Sequence, residues 1–401
     1  MHILLLQYVM LMVRVHSTYR VHSAYYIEHT QDKENNMKHI LLIATGGTIA
    51  SQPMAEGLTP TLSGEELARY VPQLKDICTF KTTQLMNIDS TNMLPKHWLQ
   101  IARCIKDAYD DFDAFIVLHG TDTMAYTAAA LSYLIQNSPK PIVLTGSQQP
   151  MTGAFTDAKL NLYQAALFAC DDDSYDVNVV FGGSVMCGTR ACKQKTMSYN
   201  AFTSINYPLI AMIRANKIVR HSSCDQKPQQ NRSALQSGLS IPHAPMASEC
   251  SNYKTAHEGA RSYVRFYERL NDRVMCLRLT PGLKPNIFDA LTKDYDALIL
   301  ETFGIGGIPN SAQHNFACAL QRWIQQGKTL VLTTQVAEEG LDLGVYEVGQ
   351  AFAHNEGVLR GADMTTEALL AKTMWVLGQA HTQGEIKRLF YTPINHDRVQ
   401  E

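Results

Sequence analysis

From residue 38 onward the chain alternates short apolar runs with segments whose apolar positions recur every three or four residues. Unbroken apolar runs of four to eight residues suit strands buried on both faces, and the three-to-four spacing suits helices with one face on a core. The alternation predicts strand 39–44, helix 64–71, strand 79–86, helix 95–110 and strand 114–118. It continues with helix 124–136, strand 141–145, helix 157–169 and strand 177–181. Strands that alternate with helical segments imply a parallel sheet with helices on both faces, a three-layer α/β domain. Pro95 suits the first turn of its helix, with Asn92 as a cap.

Between about residues 220 and 273 the periodicity fades into a stretch rich in Ser, Gln, Pro and His, including KPQQNRSALQSGLSIPHAP, which reads as a linker or elaborated loop. A second, smaller α/β unit follows: strand 274–279, helix 286–291, strand 297–302, helix 311–326, strand 329–334 and helix 366–377. The expected organisation is an N-terminal extension over 1–36, a larger catalytic domain over 37–219, a connecting segment over 220–272 and the smaller domain over 273–401. In the extension, residues 3–13 (ILLLQYVMLMV) are apolar but too short to span a bilayer. Only His2 precedes that run, whereas a secretory signal carries Lys or Arg there, so 1–36 is expected to lie outside the fold, with Met37 a candidate start.

Composition narrows the function. A chain of 401 residues, 45% hydrophobic, holds at least one full core and suits two domains. With a formal net charge of -2 there is no basic field to attract nucleic acid or an anionic membrane, and the expected partner is a small molecule. The nine cysteines are scattered, with no C-x-x-C pair and no zinc spacing. They read as reduced thiols in a cytoplasmic setting, and no metal or cofactor is implied.

Two short segments each follow a buried-type strand: Thr45-Gly46-Gly47-Thr48 after HILLIA, and His119-Gly120-Thr121-Asp122-Thr123 after AFIVL. In an open parallel sheet the carboxyl ends of the strands face the binding crevice, so both segments point into one site. Gly46 and Gly47 allow a sharp turn that brings backbone N–H groups close to a ligand and presents Thr48, as a nucleophile beside an oxyanion-binding backbone requires. A phosphate loop and a plain turn are the alternatives, but G-x-x-x-x-G-K-[ST] and G-x-G-x-x-G are absent from this loop. For Thr121 and Asp122 the alternative is capping of the helix that begins there. Asn87-Ile88-Asp89-Ser90-Thr91 also follows a strand, and Lys193 lies just after VVF and Gly182-Gly183. A hydroxyl nucleophile needs a base, and Thr121, Lys193 and Asp122 supply hydroxyl, amine and carboxylate; a solvated surface lysine is the other reading.

With these residues in view the chain resembles the bacterial type I (cytoplasmic) L-asparaginases. TGGTIAS at 45–51, LHGTDTMAYTAAALSY at 118–133, PIVLTGSQQP at 141–150 and LNLYQA at 160–165 are similar to that family's signatures. The resemblance runs on through LTPGLKP at 279–285, LETFGIGGIPN at 300–310 and RGADMTTEA at 360–368. It implies that Thr48 is the nucleophile and that Thr121, Asp122 and Lys193 form the second catalytic group. It also implies that Ser90 holds the substrate α-carboxylate, with Thr91, Gly47 and Gly120 beside it, and that Asp122 binds the α-ammonium. One donor cluster and one carboxylate at fixed separation would hold a zwitterion with its amide over the nucleophile.

The resemblance implies L-asparagine as substrate, no cofactor, and a homodimer or homotetramer in which Gly306, Gly307 and Asn310 contribute near a neighbouring site. A glutaminase-asparaginase, the amidase subunit of a tRNA-dependent amidotransferase, and a non-catalytic amino-acid-binding module are the competing readings. The chain departs from the family at one point. Well-known members carry a tyrosine on the mobile loop after TGGT, whereas 52–61 (QPMAEGLTPT) has none, with Leu58 or Thr59 near its place. Thr59, a water, or Lys193 acting through Thr121 is left to polarise Thr48.

Overall fold

A computed structural model describes residues 37–54, 57–60, 64–220, 252–253, 264–311, 314–344, 352, 355 and 357–399. The extension over 1–36 and most of the connecting segment lie outside the described residues.

The larger domain is built on an eight-stranded sheet. Its parallel part comprises β1 (His39–Gly46), β4 (Thr79–Ile88), β5 (Ala114–Leu118), β7 (Ile142–Thr145) and β8 (Val177–Phe181), in the order β4-β1-β5-β7-β8. Strands β5, β7 and β8 are buried at every position and β1 at all but its first, because helices cover both faces and every side chain meets a core. The outermost strand β4 (TFKTTQLMNI) carries the polar and half-exposed residues that an edge tolerates. On one face pack α1 (Gly64–Arg69) and α4 (Ala158–Ala169), on the other α2 (Pro95–Asp107) and α3 (Met124–Leu134).

Three further strands extend the sheet beyond its expected parallel part: β9 (Ser184–Cys187), β12 (Ala211–Arg214) and β13 (Lys217–Arg220), all antiparallel. Gly182 and Gly183, at φ 58° and 78°, close the β8–β9 hairpin, a two-residue turn with both residues left-handed. Two small hairpins flank the parallel strands, β2 (Ser51–Met54) with β3 (Gly57–Pro60), and β10 (Ala191–Lys193) with β11 (Phe202–Ser204). Helix α3 ends two residues before the expected 136 because Ile135–Gln136, β6, pairs with Val264–Phe266. Asn92 does not cap α2: it ends the short turn Ser90–Asn92, and the cap is Leu94, whose N–H is accepted by the His97 ring at 3.0 Å.

The smaller domain carries a four-stranded, wholly parallel sheet of Val274–Arg278, Ala297–Thr302, Thr329–Thr334 and Val358–Arg360 in chain order. Its helices are α5 (Ile287–Leu291), α6 (Phe316–Gln325), α7 (Thr366–Gln379) and α8 (Gln383–Tyr391). The expected helix over 311–326 starts at Phe316, where the Asn315 side chain accepts the Cys318 N–H as its cap. Helices α3 and α7 meet in one apolar cluster that runs from β1 and β5 into the smaller domain. Buried Lys372 on α7 donates to the Thr392 carbonyl (2.8 Å) and pairs with buried Asp397, which also accepts the Tyr133 hydroxyl at 3.1 Å. The C-terminal segment is thereby fastened to both helices. Among the described residues, no helix is long and apolar enough to cross a membrane, and the seven cysteines are all unpaired.

Candidate active site

The carboxyl ends of β1, β4, β5 and β7 converge. Gly46 and Gly47 leave β1 at φ 106° and 81°. A Cβ on Gly46 would stand 2.4 Å from the Ile88 carbonyl, and one on Gly47 would stand 2.4 Å from the Gly120 backbone. Only glycine satisfies both the left-handed conformation and this close approach. The two loops therefore dovetail backbone to backbone, and Thr48 opens the next turn (Thr48–Ala50) half-buried. The Ser51 hydroxyl, not that of Thr48, bonds the Gly47 carbonyl, at 2.9 Å.

At the end of β5, His119 is fully buried. Its Nδ1 lies 2.8 Å from the Gly120 carbonyl, which can only accept, so Nδ1 carries the proton and Nε2 accepts from the Thr127 hydroxyl at 2.9 Å. Burial pushes the ring down to about 4. Protonation is thus favoured in the unfolded chain below 6.5 and in the folded one only below about 4, so stability is full above pH 6.5 and falls as pH drops between them. Urea unfolding at pH 7 and pH 5 should show about 2 kcal/mol more loss for the wild type than for His119→Gln, at about 1.4 kcal/mol per pH unit. Parallel losses would mean that His119 does not titrate as its burial dictates.

Thr121, buried, donates to Gln148 Oε1 at 3.2 Å and accepts from Lys193 Nζ at 2.7 Å. The same ammonium is 2.7 Å from Asp122 Oδ1. Lys193 reaches them from β10 with its side chain 17% exposed, while Asp122 is 58% exposed and open to the crevice. Neither Thr121 nor Asp122 caps α3: its cap position is Thr123, whose hydroxyl instead holds the Ser90 carbonyl at 2.8 Å. Ser90 is buried against Gly120, where a Cβ would meet its Oγ at 2.5 Å. Thr91 is exposed, with its hydroxyl and N–H both bonded to Asp89 at 2.8 Å. The β2–β3 hairpin pairs Pro53 with Leu58 and Gln52 with Thr59 directly after Thr48 and its turn.

The structure thus brings Thr48, Ser90, Gly47, Gly120, Thr121, Asp122 and Lys193 to one end of the sheet and turns the Thr91 hydroxyl onto its neighbour. Gln148 is an addition to the expected set. It follows β7 as Thr121 follows β5, and its loop is braced by Asp157, which accepts the N–H groups of Gln148 and Gln149 at 2.9 and 3.0 Å. Among the described residues no cluster of His, Cys, Asp or Glu could hold a metal.

Residues 39–225 match the family described as "Asparaginase, N-terminal", and 273–390 match the "Glutaminase/Asparaginase C-terminal domain". The chain is accordingly an amidohydrolase of asparaginase type. It belongs to the asparaginase family. It is 35% identical to an L-asparaginase of Thermococcus kodakarensis, over 87% of this chain and 96% of that one. The solved structure of the thermostable L-asparaginase from that organism superposes with a TM-score of 0.75, covering 90% of this chain and 100% of that one at 33% identity. A component of the glutamyl-tRNA(Gln) amidotransferase of Metallosphaera sedula is 31% identical, over 91% of this chain and 78% of that protein.

Proposed function

We propose that the chain is an L-asparaginase of the type I, cytoplasmic kind that hydrolyses the side-chain amide of L-asparagine to L-aspartate and ammonia through a threonine-linked acyl intermediate. The observation that carries this reading is the Lys193 ammonium held 2.7 Å from both the Thr121 hydroxyl and the Asp122 carboxylate, beside the glycine contact that presents Thr48. The Thr48 oxygen attacks the amide carbon. The C–N bond then breaks, ammonia leaves with a proton, and a β-aspartyl ester remains. Water adds to the ester, and its cleavage returns the Thr48 hydroxyl and aspartate. Thr121, Lys193 and Asp122 form a line along which the proton moves. Lys193 engages one oxygen of an Asp122 carboxylate that remains largely exposed, which leaves room for a substrate ammonium. Ser90 and neighbouring backbone N–H groups take the α-carboxylate.

The amidotransferase reading is supported less well, since this chain is 35% identical to the Thermococcus asparaginase and 31% identical to the Metallosphaera protein. A self-assembled oligomer with a small-molecule substrate, as the family resemblance implies, completes the proposal. Ammonia release is measured on the full chain with asparagine and glutamine side by side. Release from asparagine with little from glutamine is expected. Preference for glutamine would replace the substrate, and no release from either would end the enzymatic reading.

A further inference from the structure

Lys193 sits on a strand with little of its own to hold it. β10 is three residues long and belongs to a two-stranded sheet, with β11 its one strand partner among the described residues. Within the larger domain it packs against α3 through buried Ala191, and further anchoring comes from the smaller domain. Thr365, the cap of α7, accepts the Ala368 N–H at 3.1 Å and donates to the Thr189 carbonyl at 3.1 Å. Arg190, fully buried, donates to the carbonyls of His396 (2.6 Å) and Asp363 (2.9 Å). Glu367, on the first turn of α7, accepts the Cys192 thiol at 3.2 Å. Burial pushes that thiol up to about 12, so it keeps its proton at neutral pH and acts as the donor.

Side chains alternate along a strand, so Cys192 and Lys193 leave β10 in opposite directions. Lys193 points to Thr121 and Asp122. Cys192 faces a cavity of about 560 Å³ between the domains, lined among others by Tyr126, Gln194, Cys276, Glu301 and Glu367. On the cavity side Cys192 is held from the smaller domain by Glu367, and within its own segment by the Gln194 side-chain amide, which donates to its sulfur at 3.2 Å. A displacement of Cys192 is carried through one peptide unit to Lys193, and a shift of about 1 Å at a proton-handling group suffices to lower turnover strongly.

We propose that Glu367 is a positioning residue for Lys193: from the smaller domain it holds Cys192, and so sets the reach at which the ammonium meets Thr121 and Asp122 together. The kinetic part of the test rests on the asparaginase reading, and the labelling part does not. Glu367→Ala should lower kcat for asparagine about tenfold while KM changes less than about twofold, because the substrate contacts are untouched. Glu367→Gln keeps an acceptor for the thiol and should retain at least about half of kcat. Cys192→Ala should reproduce the loss, and the double variant should be no worse than either single one, since both remove the same contact.

Independently of turnover, acetic anhydride labelling read by mass spectrometry should modify Lys193 several-fold faster in Glu367→Ala than in the wild type, with Lys140 and Lys372 unchanged. Unchanged Lys193 labelling, a Glu367→Gln loss equal to that of Glu367→Ala, or multiplying losses in the double variant would each overturn the proposal. If the wild type releases no ammonia, the functional reading fails and the labelling alone decides the positioning role.

Discussion

Thr48→Ala is expected to reduce ammonia release from asparagine by at least about three orders of magnitude, because removing the atom that forms the acyl bond leaves only binding and backbone polarisation. Stability should change by less than about 1 kcal/mol. The side chain is half-buried, the turn it opens is closed by the Ser51 hydroxyl, and the backbone there is dictated by Gly46 and Gly47. The pairing of a large kinetic effect with a small stability effect is the diagnostic, read from saturation kinetics and urea unfolding on the same preparation. Thr48→Ser keeps an oxygen in place and should retain measurable turnover. Near-normal turnover in Thr48→Ala would move the nucleophile to Thr121, the other hydroxyl at this end of the sheet.

Much of this site is legible from sequence because it obeys one rule: functional loops follow buried strands at their carboxyl ends. TGGT after HILLIA and HGTDT after AFIVL are each marked by an unbroken apolar run, and the structure sets those loops against each other through Gly47 and Gly120. The same rule applied to Pro141-Ile142-Val143-Leu144-Thr145 points to Gln148, which meets Thr121 at 3.2 Å; a glutamine has no distinctive chemistry of its own to call attention to it. Lys193 is harder to place. Its strand is short and half-exposed at its end, and nothing local shows that an ion pair spanning 71 residues would orient it.

The fold follows the same division. Wholly buried strands are readable to within a residue, as at Ala114–Leu118 and Ala297–Thr302. The antiparallel edge is signalled by Gly182-Gly183 between VVF and SVMC, but the turn joining β12 to β13 places Ala215 and Asn216 at positive φ and carries no glycine to mark it. Helix α8 is absent from the expected elements, although Thr382 and Glu385 stand at capping-box spacing where it opens. The end of α3 is not local information at all, since it is decided by pairing with Val264–Phe266, more than a hundred residues away.

Lys193→Met should test the second half of the site as sharply as Thr48→Ala tests the first. Methionine keeps an unbranched side chain of similar reach and removes the ammonium, leaving the Thr121 hydroxyl with Gln148 alone and Asp122 facing solvent. Because Asp122 is 58% exposed, losing its partner should cost at most about 1 kcal/mol of stability. Turnover should nevertheless fall about a thousandfold, within the range for losing a positioned proton-transfer group. Lys193→Arg is not expected to restore it, since a planar guanidinium that stays charged cannot give up a proton on demand. Thr121→Val should produce a loss of similar size, and combining it with Lys193→Met should add little, because groups that act as one unit are lost together. If Lys193→Met stayed within tenfold of the wild type, the lysine would be an ion-pair partner of Asp122 only, and Thr59 or a water would be left to polarise Thr48.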